Sequence, residues 1–458
     1  MSRQTLMALL MALTLSGCAT RVEKAPSSLP IPPQWRNQVG PGAAVEARWW
    51  RAFGDEAMSR LVEQALRNNP DILTARSRVD QYRAQLRAAQ GDNFPTLSAG
   101  VAATRERTLS SVTGQPYQTD VFQGLLQANY EVDLWGARSS DIDAARASLA
   151  AQQAAASAAE LTIASSVASG YLNLCALDEQ LRVTRATLAT RDNSLRLAQR
   201  QFETGYTSRL EWMQAASEYQ TAKAQVPQLE HQIADQENAL SILVGMNPRQ
   251  IARSRSFDQI MPHQLPAVMP SQLLNRRPDI VQAQRQLIAA DASLASSRAQ
   301  LLPTLNLTAS GTLQSSVLHE LVDNPFRLWS VGGSILAPLF NREALTAQVD
   351  VSMAARNQAL YGYEKVVRNA FSEVNTAMDA IGRGEEQLTE LQKQEKYVAE
   401  ALRIAHNRYQ NGYASYLDEL DAQRTLFSTQ LNLVSVKNTL LQAQINLYRA
   451  LGGGWQGS

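Results

Sequence analysis

Val121-Phe122-Gln123-Gly124-Leu125-Leu126-Gln127-Ala128-Asn129-Tyr130-Glu131-Val132-Asp133-Leu134, residues 121–134, decides how this chain is to be read. Phe122, Gly124, Leu126, Ala128, Tyr130, Val132 and Leu134 fall on one face; Gln123, Gln127, Asn129, Glu131 and Asp133 fall on the other. A period of two held this long describes a strand with one apolar and one wet face. A shorter run lies upstream, where Leu97, Ala99, Val101 and Ala103 alternate with Thr96, Ser98 and Gly100.

The same strand pair returns later. Leu305, Leu307 and Ala309 alternate with Asn306, Thr308, Ser310 and Thr312, and Trp329, Val331, Gly333, Ile335 and Ala337 follow. The flanks repeat too. Asn69-Pro70-Asp71-Ile72 recurs as Arg277-Pro278-Asp279-Ile280, and Phe94-Pro95-Thr96-Leu97 as Leu302-Pro303-Thr304-Leu305, both displaced by 208 residues. Displaced by 207, Leu195–Ala198 through Gly205–Leu210 matches Leu402–Ala405 through Gly412–Leu417, and Leu240 and Gly245 match Leu447 and Gly452. One register held at distant places identifies a duplicated unit.

In each copy a helix precedes two strands and long helices follow. Residues 139–204 contain no proline and only Gly170. Such a helix would extend about 100 Å at 1.5 Å per residue. In the second copy Leu360, Tyr363, Val367, Phe371, Val374, Met378 and Ile381, then Leu388, Leu391, Val398, Leu402, Ala405 and Tyr409, form a heptad-like seam. Steps of three and four sustained this far predict coiled-coil packing. Gly205 and Gly412 stand where each long helix must turn back, and glycine tolerates the left-handed backbone needed there. Asn247 to Pro278 holds five prolines and reads as a joining segment.

The expected division is a signal segment 1–17, an extension 18–60, repeat 1 over 61–245, a linker 246–270, repeat 2 over 271–452 and a tail 453–458. Strands are expected at about 95–104, 120–134, 303–312 and 327–340. Trp135 and Phe340 would end matched strands.

The N-terminus points to an envelope. Arg3 precedes the apolar run Leu6–Leu15, which is too short to span a bilayer. The run ends in Leu15-Ser16-Gly17-Cys18, which resembles a bacterial lipobox. That resemblance implies cleavage before Cys18 and covalent diacylglycerol and N-acyl chains on it. Ala19, in place of the Asp associated with inner-membrane retention, favours the outer membrane. Cys175, the other cysteine, reads as a small buried residue. No stretch reaches the roughly 18 apolar residues of a membrane helix, so any membrane crossing must use strands. Four strands cannot close a barrel, since single-chain barrels begin at about eight. Three chains would give twelve, with the wet face lining a lumen.

Other chemistry is missing. The net charge of +1 gives no general attraction to nucleic acid. His231, His263, His319 and His406 show no metal-ligand spacing, so surface or helix-packing roles are expected. No nucleophile elbow, phosphate loop or CxxC motif supports an enzyme.

The chain is similar to the TolC-type outer-membrane efflux factors, in the lipoprotein subgroup serving RND pumps. The resemblance rests on Trp49-Trp50 with Phe53-Gly54-Asp55, on the paired Pro-Asp-Ile and Pro-Thr-Leu segments, on Tyr416-Leu417-Asp418-Glu419-Leu420-Asp421-Ala422-Gln423-Arg424, and on Ala450-Leu451-Gly452-Gly453-Gly454-Trp455. It implies an α+β fold: a trimeric 12-stranded transmembrane β-barrel, four strands per chain, continued by a long α-helical coiled-coil barrel. It implies a homotrimer in outer-membrane lipid, docking a periplasmic adaptor that bridges to an inner-membrane RND pump. It implies a periplasmic gate in which Leu417 forms an apolar constriction, Asp421 a three-fold acidic ring, and Arg424 a tie between neighbouring helices. Glu211 occupies the equivalent region of the first copy. Gly205, Tyr206, Gly412 and Tyr413 would be the adaptor-contact tips, and no cofactor beyond the acyl chains is implied.

Two other readings stay open at this level. A type I protein-secretion duct shares fold and trimer; the lipobox and the C-terminal ending favour the RND branch. A structural lipoprotein tethering the envelope by coiled coil would have no membrane strands, against the alternation at 122–134.

Overall fold

The computed structural model describes residues 29–36, 46–261, 269–323 and 325–455. The expected signal segment, Cys18 and His263 lie outside them. In order come α1 (Glu56–Asn68), α2 (Pro70–Gly91), β1 (Thr96–Leu109), β2 (Pro116–Val132), α3 (Ala137–Glu203) and α4 (Arg209–Leu243). There follow α5 (Pro270–Arg276), α6 (Pro278–Ala299), β3 (Thr304–Ser315), the short α7 (Glu320–Asp323), β4 (Phe326–Leu336), α8 (Arg342–Gln410) and α9 (Tyr416–Ala450). No helix among the described residues is long and apolar enough to cross a membrane. Two compact units result. One gathers residues 78–153 and 282–364 and carries the sheet; the other gathers 29–77, 154–281 and the chain from 365 onward and is helical.

The sheet is antiparallel throughout, in the order β1-β2-β3-β4. Directly opposed residues share a face, so the register tests the sequence patterns against one another. One row across the strands reads Leu97, Ala128, Ala309, Val331, and another reads Ala99, Leu126, Gly311, Trp329. The intervening row reads Ser98, Gln127, Ser310, Ser330. All four alternations are therefore in phase, giving one apolar and one polar face. On the polar face Ser310 and Ser330 share a hydrogen bond of 2.8 Å, and Gln127 Nε2 donates to Asn129 Oδ1 at 3.2 Å. β1 and β4 are open edges and exposed along their whole length. A slip of one residue would exchange the faces, so this register is strongly specified.

Strand ends differ from expectation for local reasons. β1 reaches Leu109 because the ladder continues past the apolar alternation, with Arg105 Nε 3.2 Å from Asp120 Oδ1 across the strands. β2 stops at Val132 because the Asp133 carboxylate turns to accept from the amides of Arg138 and Ser139 at the start of α3, 3.2 and 2.9 Å away. Trp135 thus lies beyond the strand, where its Nε1 donates to Pro303 O at 2.6 Å. β4 ends at Leu336, two residues before Pro338, and leaves Phe340 fully exposed outside it.

Each long helix ends in the same motif. Tyr206 N–H donates to Gln201 O at 2.8 Å and Gly205 N–H to Phe202 O at 3.0 Å; Tyr413 donates to Arg408 O and Gly412 to Tyr409 O at the same distances. This is the Schellman pairing, and it needs a left-handed residue: φ is +76° at Gly205 and +75° at Gly412. In the α8 seam Val367, Val374, Met378, Ile381 and Tyr409 are buried and the remaining seam positions are half-buried.

Candidate functional site

The segment that resembles a gate opens α9. Ser415 N–H donates to Asp418 Oδ2 at 3.1 Å, starting the helix with a carboxylate over its first turn. From there the 3.6-residue period puts Leu417, Asp421 and Arg424 on one face and Tyr416, Leu420 and Gln423 on the other. The structure agrees: Leu417 is half exposed and Asp421 and Arg424 exposed, whereas Tyr416, Leu420 and Gln423 are buried.

The buried face joins the two hairpins. Tyr409, Tyr416 and Leu420 pack with Ala198 and Ala215 of the first copy, flanked by Leu195 and Leu197. Tyr409 Oη donates to Gln201 Oε1 at 2.8 Å, and Gln423 Nε2 to Ser194 Oγ at 3.2 Å. Burial pushes the Tyr416 phenol up to about 12, so it stays a neutral packing group.

Arg424 is tied to the first copy. Its Nη2 and Nε donate to Glu218 Oε1 on α4 at 2.5 and 3.1 Å, while Asp421 Oδ1 stands 4.0 Å from its Nη1. Glu218 holds a second guanidinium: Arg191 Nη2 lies 3.1 Å from Oε2, and Arg191 Nη1 donates to Glu218 O at 3.0 Å. Arg191 is only 4% exposed and stands over the Phe427 ring, 5.4 Å from its centroid. Its burial lowers the Arg191 pKa, whereas the hydrogen bond that Arg424 donates to Glu218 raises that of Arg424. One carboxylate thus fastens a buried cation and a solvent-facing one, and only the second can be released without exposing core.

A second polar link was not expected. His406 Nδ1 and Glu419 Oε1 are 2.9 Å apart, Gln423 Nε2 donates to the same oxygen at 2.8 Å, and Gln410 Nε2 lies 2.8 Å from His406 Nε2. Glu419 is 1% exposed, and its Oε2 is buried without a hydrogen-bond partner.

Sequence reasoning placed Leu417, Asp421 and Arg424 together and set Glu211 in the equivalent region of the first copy. The Glu211 carboxylate accepts from Thr207 Oγ1 in its own turn. The pairing of His406 with Glu419 was missed, as were Glu218 and Arg191. Their signal was available in the repeat: 207 residues on, Arg191 matches seam residue Val398 and Glu218 matches Thr425, so both are charges peculiar to the first copy. The tips lie as expected at the two turns, with Tyr206 and Tyr413 89% and 78% exposed.

Residues 61–246 and 269–453 each match the model of a family described as outer membrane efflux protein. The pyoverdine export outer membrane protein OpmQ of Pseudomonas aeruginosa is 34% identical over 467 residues, spanning 100% of this chain and 98% of that protein. The cation efflux system protein CusC of Escherichia coli O6:H1 is 30% identical over 465 residues, spanning 100% of both. Among solved structures, the outer-membrane channel OprN superposes with a TM-score of 0.89 at 25% identity, covering 95% of this chain and 100% of that one. A CusC crystal structure gives 0.86 at 29% identity, covering 95% and 99%.

Proposed function

The chain belongs to the outer membrane efflux protein family, and on that premise we propose that three copies close one twelve-stranded pore whose helical part is gated at the hairpin tips. The protein is an outer-membrane component of an efflux system. The observation that carries the trimer is the sheet itself: four strands in phase, a continuous apolar face, and two open edges at β1 and β4. In hydrocarbon each unpaired edge group costs several kcal/mol, so the edges must meet other edges. Light scattering in mild detergent tests this. About three times the chain mass of 50.3 kDa is expected; a monomer stable at micromolar concentration removes the pore.

In this reading Leu417 narrows the tunnel, Asp421 forms an acidic ring that attracts cations, and Arg424 holds the second hairpin against the first through Glu218. Asp421→Ala is expected to raise passive entry of large antibiotics, and unchanged entry counts against the gate. The tips at Gly205-Tyr206 and Gly412-Tyr413 meet a periplasmic adaptor, which links the duct to an inner-membrane RND pump. Crosslinking from Tyr206 and Tyr413 positions in whole cells tests that contact. Cys18 carries the acyl chains; labelled palmitate should be incorporated by the wild type and not by Cys18→Ala. The work is transport of small molecules or ions, with no catalytic step. Relatives named for pyoverdine and for cation export support a cargo chosen by pump and adaptor.

A further inference from the structure

We propose that Arg105 and Arg107 of β1 and Arg327 of β4 form, at each seam between subunits, a site for the phosphorylated headgroup of an outer-leaflet lipid. The inference rests on the trimeric barrel proposed above.

Strand parity places all three on the apolar, outward face. Arg105 opposes Asp120 and Arg107 opposes Gln118, on the side of β2 that also carries Phe122 and Leu126. Arg327 opposes Leu313, on the side that carries Trp329, Val331 and Ile335. All three stand at the end of the sheet remote from α2, α3, α6 and α8, where the apolar run gives way to charge. With the helices in the periplasm, that end meets the outer leaflet.

The edges bring the arginines together. In a closed ring β4 pairs antiparallel with the next subunit's β1. Matching their helix-proximal ends sets Leu336 against Thr96, and the same register sets Arg327 against Arg105. A slip of two residues sets it against Arg107; a slip of one would turn the apolar face inward and is excluded. Each seam then holds three guanidiniums. Among the described strand residues Asp120 is the acid on this face, already 3.2 Å from Arg105; Glu320 and Asp323 of α7 lie at the same end, with Glu320 accepting from Ser315 Oγ at 3.3 Å, and Glu106 opposes Thr119 and faces the lumen. Neither Arg107 nor Arg327 has an ion pair among the described residues, and both are exposed. Like charges opposed across strands repel, so the seam calls for an anion.

The surroundings select an amphipathic one. Immediately below Arg327 on the same face lies Trp329, 80% exposed and opposite Gly311, whose lack of a side chain leaves the indole open to an acyl chain. Guanidinium pairs phosphate in a bidentate fork, and the indole suits the boundary between headgroup and hydrocarbon.

Native mass spectrometry of the full detergent-solubilised protein, given bis-phosphorylated lipid A, dephosphorylated lipid A or inorganic phosphate, tests the site. Up to three bis-phosphorylated lipids per trimer are expected. The dephosphorylated lipid on the wild-type protein, and the bis-phosphorylated lipid on an R105Q/R107Q/R327Q variant, should bind about a hundredfold more weakly. Equal retention of the two lipids by the wild type overturns the proposal whatever the variant does. So does undiminished binding by the variant, whose trimer mass in the same spectrum reports its folding. Binding of inorganic phosphate with no preference for the lipid assigns the arginines to free phosphate and also overturns it. A lipid-free trimer refutes this site alone, whereas a monomer refutes the barrel as well.

Discussion

Asn69 and Arg277, 208 residues apart, do the same work: each side chain donates to the carbonyl that ends the last helix of its own repeat. Asn69 Nδ2 reaches Leu243 O at 2.9 Å, and Arg277 Nη1 reaches Ala450 O at 3.1 Å. Helix C-termini leave carbonyls unpaired, and in both copies the residue before the Pro-Asp-Ile segment supplies the missing donor. The glycine two positions past each carbonyl completes the clasp. A Cβ on Gly245 would stand 2.4 Å from Asn68 O, and one on Gly452 2.0 Å from Arg276 O. The short donor of the first copy needs no counterion, whereas Arg277 is buried and paired to Asp279 and Glu373 at 2.6 and 2.8 Å.

Gly245→Ala and Gly452→Ala should therefore each destabilise the fold by at least ~2 kcal/mol, from a left-handed backbone joined to a backbone clash. Gly205→Ala shares the positive φ but meets nothing within 4 Å, and should lose only about 1 kcal/mol. Thermal unfolding followed by helical circular dichroism ranks the three; equal losses would show that the clasp contributes nothing beyond backbone conformation.

Arg424→Ala and Glu218→Ala should raise antibiotic leak to a similar extent, and the double variant no further than the larger single effect, because both cut one link. Their stabilities should differ. Arg424 is half exposed, so its loss is nearly neutral. Removing Glu218 strands the buried Arg191 and costs about 3 kcal/mol. Vancomycin susceptibility in cells, set beside melting of the purified protein, separates the two readouts. Additive leak in the double variant would mean that the residues act separately.

His406→Leu should destabilise the hairpin by about 1–3 kcal/mol, because it strips a partner from a carboxylate that already has one bare oxygen. Adding Glu419→Leu should restore stability to at least the wild-type level, since the buried charge goes with its need for partners. Melting temperatures of the single and double variants decide it. A double variant less stable than the single would show that the carboxylate itself is stabilising.

Cys175 should resist alkylation at pH 8 in the folded protein. Burial pushes its thiol up to about 12. The folded-state value lies above the working pH, so the nucleophilic thiolate is scarce until unfolding returns the group to its ordinary range. A Cys18→Ser protein treated with iodoacetamide before and after denaturation reads this directly. Rapid labelling of the native protein would contradict the packing around Tyr171 and Leu172.

What could be read in advance follows the range of the physics. Faces of strands, the seam of α8 and the glycine turns are properties of neighbours in sequence, and they appear in the structure where the periodicity places them. The strand ends went astray for two different reasons: Arg105 paired across the strands with Asp120 lengthened β1, and the Asp133 carboxylate shortened β2 by capping the helix that follows. Leu417, Asp421 and Arg424 were legible as one face of α9. Glu218 was not, because its pairing with Arg424 depends on which helix of the first copy lies beside α9.

By itself the sequence determined the duplication, the type and order of the long elements, and the membership of each strand face, because each of these is written in local spacing or in self-similarity. Only the tertiary structure decided which charges answer one another. Arg191 stands where the second copy has seam residue Val398 and Glu218 where it has Thr425, yet they become a single buried tie once α3, α4 and α9 pack together, and His406 and Glu419 meet only because the hairpin at Gly412 folds one helix back onto the other. Charge pairing depends on distance in space, which falls to 3.1 Å between Arg424 and Glu218 although they stand 206 residues apart in the chain, and no periodicity records that.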